Sequence, residues 1–179
     1  MLMKLFYKIL LLVILVLPYT VLGKGVYQLP DEFINEVFNG NPPDSEKLWI
    51  KKELKEKVRQ IMGHDLGVLR LRYWQEGERT AWILEEIGKE RPITTGVVVN
   101  AGSIERIKIL IFRESRGWEV RYPFFTDQFK SAVLLEDSEL DRSIDGISGA
   151  TMSVNAVTKL ARLALVLDQQ VTNYQNKKF

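Results

Sequence analysis

Cysteine is absent from the 179-residue chain, and histidine occurs once, at His64. The first absence excludes intramolecular disulfides, thiolate metal sites, iron–sulfur ligation and thioether-linked haem. The second leaves no pair of imidazoles for a zinc hydrolase or a bis-histidine haem, so only a carboxylate metal site stays open. Asp137, Glu139, Asp141 and Asp145 are the obvious carboxylates for such a site. Their spacing lacks the glycine and the terminal glutamate of a calcium loop, so they read as a polar loop and no metal is expected. Charge of one sign is also scarce. The formal net charge is +2, which gives no basic footprint for nucleic acid. What the chain does have is apolar residues, 46% of the total, enough for one ordinary globular core and too many for a disordered chain.

The small positive excess has a definite place. Residues 1–23 hold Lys4 and Lys8 and no acid, so the rest of the chain carries equal numbers of basic and acidic groups. A basic start, the apolar run Ile9 to Leu17, then Pro18 and a short polar stretch read as an export signal. Val21 and Gly23 suit a cleavage site, with the cut after Gly23. The alternative is an uncleaved inner-membrane anchor over Leu5 to Leu22. Either way the expected location is periplasmic or otherwise extracytoplasmic.

Three parts are expected: residues 1–23 as signal or anchor, 24–66 as an N-terminal helical arm, and 67–179 as the functional domain. In the arm, 31–38 reads as a short helix with Phe33, Val37 and Phe38 on one face. A longer helix is expected from a cap at Asp44 or Ser45 to about Met62, burying Leu54, Val58, Ile61 and Met62. Its lysines, Lys51, Lys52, Lys55 and Lys57, are interleaved with acids and read as a solvated face rather than an anionic-surface contact. Four alternating runs follow: Val68 to Gln75, Arg79 to Glu86, Ile93 to Val99 and Ile104 to Phe112, the last with Ile107, Ile109 and Ile111 on one side. Short turns between them imply an antiparallel meander with one face covered. A final helix from about Ser153 to Asn173 carries the stripe Val157, Leu160, Ala161, Ala164, Leu167 and Val171. The expected fold class is α+β, a meander sheet packed by a long C-terminal helix.

The chemistry is concentrated at the entrance to that helix, in Asp145-Gly146-Ile147-Ser148-Gly149-Ala150-Thr151-Met152-Ser153. Two glycines allow close backbone approach, small residues leave room beside Thr151, and a helix start offers unpaired N–H groups and the positive end of a dipole. These features suit a phosphate next to a hydroxyl. They also suit a plain helix cap, for which Ser148, Thr151 and Ser153 are all good residues.

The pattern Asp145-x-x-Ser148-Gly149-Ala150-Thr151, followed by Ser153, resembles the flavinylation motif of the FMN-binding domain family. That family includes the C subunit of sodium-translocating NADH:quinone oxidoreductase and the G subunit of the Rnf complex. The resemblance covers roughly the last two-thirds of the chain. It implies that a Mg²⁺-dependent flavin transferase, with FAD as donor, attaches FMN covalently to Thr151 as a threonyl phosphodiester. Asp145, Ser148, Gly149, Ala150 and Ser153 then belong to the stretch the transferase reads and to the loop around the phosphate. Family members carry a Glu-Thr-Pro-Gly-Leu-Gly loop ahead of the motif. The nearest stretch here, Glu114-Ser115-Arg116-Gly117-Trp118-Glu119, keeps the glutamate and first glycine and lacks the proline and second glycine.

Glu114 and the aromatics Trp118, Tyr122, Phe124 and Phe125 are the candidate flavin contacts, with core packing as the alternative for each aromatic. Arg113, Arg116 and Arg121 are read as solvent-facing, Trp74 and Trp82 as core, and His64 as a helix-terminus residue. No catalytic triad or paired-carboxylate site is present. The expectation is therefore an exported FMN electron carrier serving membrane or periplasmic redox partners, not a stand-alone enzyme. The alternatives are a flavin-binding sensor module and an exported interaction domain without cofactor.

Overall fold

The computed structural model describes residues 25–176, with side chains through residue 172. The expected export signal lies outside the described residues. Helix α1, Pro30–Val37, starts with proline at its first turn, and Glu32 reaches back to accept the Leu29 N–H at 3.1 Å. Strand β1, Glu46–Trp49, precedes helix α2, Lys52–Met62. Strands β2 (Arg70–Glu76), β3 (Arg79–Ile87), β4 (Pro92–Asn100) and β5 (Ser103–Phe112) follow. A 3-10 turn at Trp118–Arg121, a one-turn helix α3 at Pro123–Thr126 and a second 3-10 turn at Asp127–Phe129 lead to helix α4, Thr151–Asn176. The fold is α+β.

The sheet order is β1-β2-β3-β4-β5, antiparallel throughout. α4 lies across one face, on β3, β4 and β5, and packs beside α2. Its apolar stripe, Val157 to Val171, is buried against Trp82, Val97, Val99, Ile107 and Ile109. Leu54, Val58, Ile61 and Met62 of α2 join the same core.

Two expectations are corrected here. The helix does not begin at Asp44 or Ser45. Residues 46–49 pair with β2 instead, with Glu46 opposite Tyr73 and Trp49 opposite Arg70. The Tyr73 hydroxyl donates to Glu46 at 2.8 Å and fixes that edge. Nor is only one face covered. Phe33, Ile34, Val37 and Phe38 of α1 make a second core with Ala81, Val98 and Leu110 on the opposite face. Gly96 makes this possible: a Cβ there would stand 2.5 Å from the Phe33 ring.

β5 divides its isoleucines between the two cores because it is bulged. Thr95 pairs with Ile109 but Thr94 with Ile111, so Leu110 is the extra residue. Leu110 and Ile111 consequently face α1, while Ile107, Ile109 and Phe112 face α4.

Candidate functional site

The start of α4 is held by its neighbours rather than by a side-chain cap. Gly149 takes a left-handed conformation, φ +78°, and the Ala150 N–H donates to the Ile147 carbonyl at 2.9 Å. The Ala150 carbonyl then accepts the Val154 N–H at 3.0 Å and opens the helix. Among the described residues, the N–H groups of Thr151, Met152 and Ser153 have no such partner. Thr151 is exposed as the first helical residue, and Asp145, Ser148 and Gly149 are exposed with it. A Cβ built on Gly146 or Gly149 meets nothing within 4 Å, so the space around the loop is open. An exposed hydroxyl beside unpaired N–H groups at a positive helix end has the donor chemistry that a phosphate group needs.

The wall beside this opening comes from the loop after β5. Gly117, φ +83°, presses on α4 so closely that a Cβ there would stand 2.6 Å from Ser153 Oγ and 3.2 Å from Ala150 Cβ. Ser153 is therefore buried against Gly117, and Ala150 is buried beside it. Trp118 follows directly and is 41% exposed. Its ring meets Tyr122 edge-on at 5.6 Å, and Tyr122 in turn lies 6.2 Å from Phe124, which is 62% exposed. The result is a row of exposed rings on the segment that leaves the Gly117 contact with α4. Phe125 points the other way, into the core, against Phe129 at 5.4 Å.

Two residues tie these parts together without a signal in the sequence. Gln128 accepts the Asp145 N–H at 2.7 Å and donates to the Phe124 carbonyl at 3.4 Å, linking the motif loop to the aromatic turn. Arg121, read from sequence as solvent-facing, is instead bracketed by Tyr27 (4.4 Å), Tyr122 (4.8 Å) and Trp118 (5.2 Å) and donates to the Tyr122 hydroxyl at 3.0 Å. Arg116 is exposed, and Arg113 donates to Thr94 Oγ1 and the Pro92 carbonyl.

Glu114 has a different task from the rings. Its Oε1 accepts the N–H groups of Lys89, Glu90 and Arg91 at 2.5, 2.6 and 2.9 Å, and so closes the β3–β4 turn. Partial burial opposes its ionisation, but the three donors outweigh that and hold the carboxyl below its ordinary range.

His64 follows the end of α2 and joins it to β3. Its Nδ1 lies 2.9 Å from the Asp65 carbonyl, and its Nε2 lies 3.0 Å from the buried Glu86 carboxylate. Lys159 completes that corner, donating to the Met62 carbonyl at 2.7 Å and standing 3.8 Å from Glu86. The Asp65 carbonyl first, and then Glu86 against partial burial, raise the histidine pKa above its ordinary value. Trp82 is fully buried and stacked on Tyr73 at 5.0 Å, and its indole N–H donates to Thr80 at 2.9 Å. Thr80 donates to the buried Asp168 at 2.6 Å, and burial raises the Asp168 pKa.

A cavity of about 470 Å³ lies between β1, α2 and the far end of α4, lined by Leu48, Leu54, Tyr73 and Val171 among others. Val171 is about 30 Å along the helix axis from Thr151, at the usual rise per residue, so the Thr151 opening is a separate surface site. Among the described residues no cluster of three or more His, Cys, Asp or Glu could hold a metal ion, and no helix is long and apolar enough to cross a membrane.

The model of the FMN-binding domain family matches residues 88–166. No curated protein and no solved structure matches the chain. The matched stretch begins in the turn that Glu114 closes, takes in the Gly117 loop and the aromatic row, and ends within α4 after Thr151. Residues 88–166 thus match the FMN-binding domain family, and that match supports FMN as the ligand of this part of the chain.

Proposed function

We propose that this protein is an exported electron carrier whose FMN is attached through a phosphoester bond to Thr151. The observation that carries the reading is the placement of Thr151. It is the first residue of α4, exposed, beside unpaired N–H groups, and the loop that rests on the same helix turn through Gly117 leads into the exposed rings of Trp118, Tyr122 and Phe124. Attachment follows the family resemblance. The Thr151 hydroxyl forms a bond to the FMN phosphorus of FAD as the pyrophosphate bond breaks and AMP leaves, with the hydroxyl proton lost. A separate Mg²⁺-dependent transferase catalyses this step. The backbone N–H groups of Thr151, Met152 and Ser153 would receive the diester oxygens. Trp118, Tyr122 and Phe124 would offer apolar surface to the ring.

The flavin supplies the redox chemistry when bound, and the protein sets its position, access and surroundings. A covalent link suits an exported site, where a lost cofactor is not replaced from a cytoplasmic pool. The partners are then the transferase and membrane or periplasmic redox proteins. The reading is a carrier whose redox chemistry comes from the flavin, and not a stand-alone catalyst. The test is intact mass of the chain co-expressed with a flavin transferase, with Thr151→Ala as control. A gain of one FMN minus water in the parent, absent in the variant, is expected. Fast reduction and reoxidation of the loaded protein by membrane fractions is expected of a carrier, and its absence would favour a sensor module that holds FMN without routing electrons.

A further inference from the structure

We propose that one end of the sheet, carrying Trp49, Val68, Leu69 and Ile87, is a docking face for the surface of an anionic lipid bilayer. The antiparallel register brings these residues to a single end. Trp49 pairs with Arg70 at the start of β2, and Leu69 lies just before it, its carbonyl accepting the Ile50 N–H at 3.0 Å. The β2–β3 ladder ends at the Tyr73–Trp82 pair, and His64, in the segment before β2, reaches Glu86 at 3.0 Å near the end of β3, where Ile87 sits opposite Pro92. The same end holds Thr94, Ile111 and Val26, since Thr94 pairs with Ile111 and Ile111 bridges to Val26.

These side chains are far more exposed than their kind usually is: Leu69 78%, Ile87 59%, Trp49 54% and Val68 50%. Four large apolar groups at one end of a sheet are a surface waiting for a partner. The charge around them has a sign. Arg70 lies over the Trp49 ring at 5.5 Å. Among the described residues, Arg91 forms no ion pair. Of the acids of this end, Glu85 pairs with Arg113, Glu90 with Lys89, Asp65 with Lys55 and Arg59, and Glu86 with His64 and Lys159. Glu53, exposed on α2, and Glu114, held by three neutral N–H groups, lie outside these pairs.

Two arguments select a bilayer over a protein partner. The chain reaches this end at Gly25 and Val26, directly after the stretch that holds the apolar run Ile9 to Leu17. The stretch that carries this apolar run therefore precedes the described fold at the end where these apolar groups protrude. The composition also fits: an indole, aliphatic side chains and arginine or lysine at one level are what settles at the boundary between headgroups and acyl chains. The face is independent of the flavin reading, which rests on the opening at Thr151.

The chain's lack of cysteine makes the test direct. Leu69→Cys and, at the opposite end in the β2–β3 turn, Glu78→Cys each place one environment-sensitive fluorophore on the full chain, residues 1–24 included. Each is reconstituted into phosphatidylcholine vesicles with and without phosphatidylglycerol, containing a nitroxide lipid as quencher. The label at position 69 is expected to lose about half its emission in the anionic vesicles, as a group at the headgroup boundary does, and the label at 78 to lose almost none. Adding Trp49→Glu, at an exposed position, is expected to restore the emission at 69. Equal quenching at both positions, or none at 69, overturns the proposal; shielding of 69 by another protein would give the latter result.

Discussion

Gly117 and Ser153 touch where the loop after β5 meets the first turn of α4, and no side chain fits between them: a Cβ on Gly117 would lie 2.6 Å from Ser153 Oγ. This contact seats the loop that leads into the aromatic row on the first turn of α4. Gly117→Ala is therefore expected to cost about 2 kcal/mol, from the left-handed φ and the displaced loop together. It should also reduce FMN incorporation in a co-expression assay. Urea unfolding measures the first effect and intact mass the second. Unchanged incorporation would mean that the loop's seat on α4 does not shape the site.

Trp118 is the ring nearest this contact in sequence, and its exposure leaves it free to cover a flavin. Flavin emission is quenched when an aromatic ring stacks on it. Trp118→Ala is expected to leave attachment to Thr151 in place and to raise the flavin fluorescence of the loaded protein by about twofold or more, while the urea midpoint moves little because the residue is at the surface. Equal fluorescence in parent and variant would remove Trp118 from the site.

Asp168 is buried, with the Thr80 hydroxyl as its partner, and burial raises its pKa above the unfolded value. An acid whose folded pKa is raised binds its proton more tightly when folded. Its contribution is thus fully present below the unfolded pKa and is lost as pH rises through the folded pKa. Asp168→Asn keeps an acceptor for Thr80 and removes the charge. It is expected to be more stable than the parent by about 1–2 kcal/mol at pH 8 and no more stable at pH 4. Urea unfolding at the two pH values checks the difference, and a variant less stable at pH 8 would contradict it.

His64 makes the opposite kind of bond, to a carboxylate. Its raised pKa means that its stabilisation is present below about pH 6.5, the ordinary histidine value, and disappears as pH rises through the folded pKa. The ring is half exposed, so solvent screening limits the effect to roughly 0.5 kcal/mol. His64→Gln should lose that much at pH 5.5 and little at pH 8.5, read from the urea midpoint of parent and variant. An equal loss at both values would assign His64 a packing role only.

The sheet strands and α4 were legible because each obeys one period over many residues. β1 was not, because Glu46–Trp49 is too short to alternate visibly and runs straight into the apolar spacing of α2. The second core was hidden for a related reason. The bulge at Leu110 moves Ile111 to the far face, and a bulge breaks the period that reveals a strand's inside. At the site, the motif points to Thr151 and its loop, and the aromatics after Gly117 are candidates by their proximity in sequence. Gln128 and the seating of Gly117 on Ser153 are not legible in this way, since both depend on contacts between segments 17 and 36 residues apart. Glu114 was matched to the family loop by position, whereas its carboxylate closes the 89–91 turn.

The account stands on Thr151 as the point of attachment. Intact mass of the full chain, co-expressed with a flavin transferase and denatured before measurement, tests this most directly. The account predicts a gain of one FMN minus water in the parent, and none in Thr151→Ala although that variant folds. A parent at its unmodified mass, or a Thr151→Ala variant that still carries the gain, would contradict it.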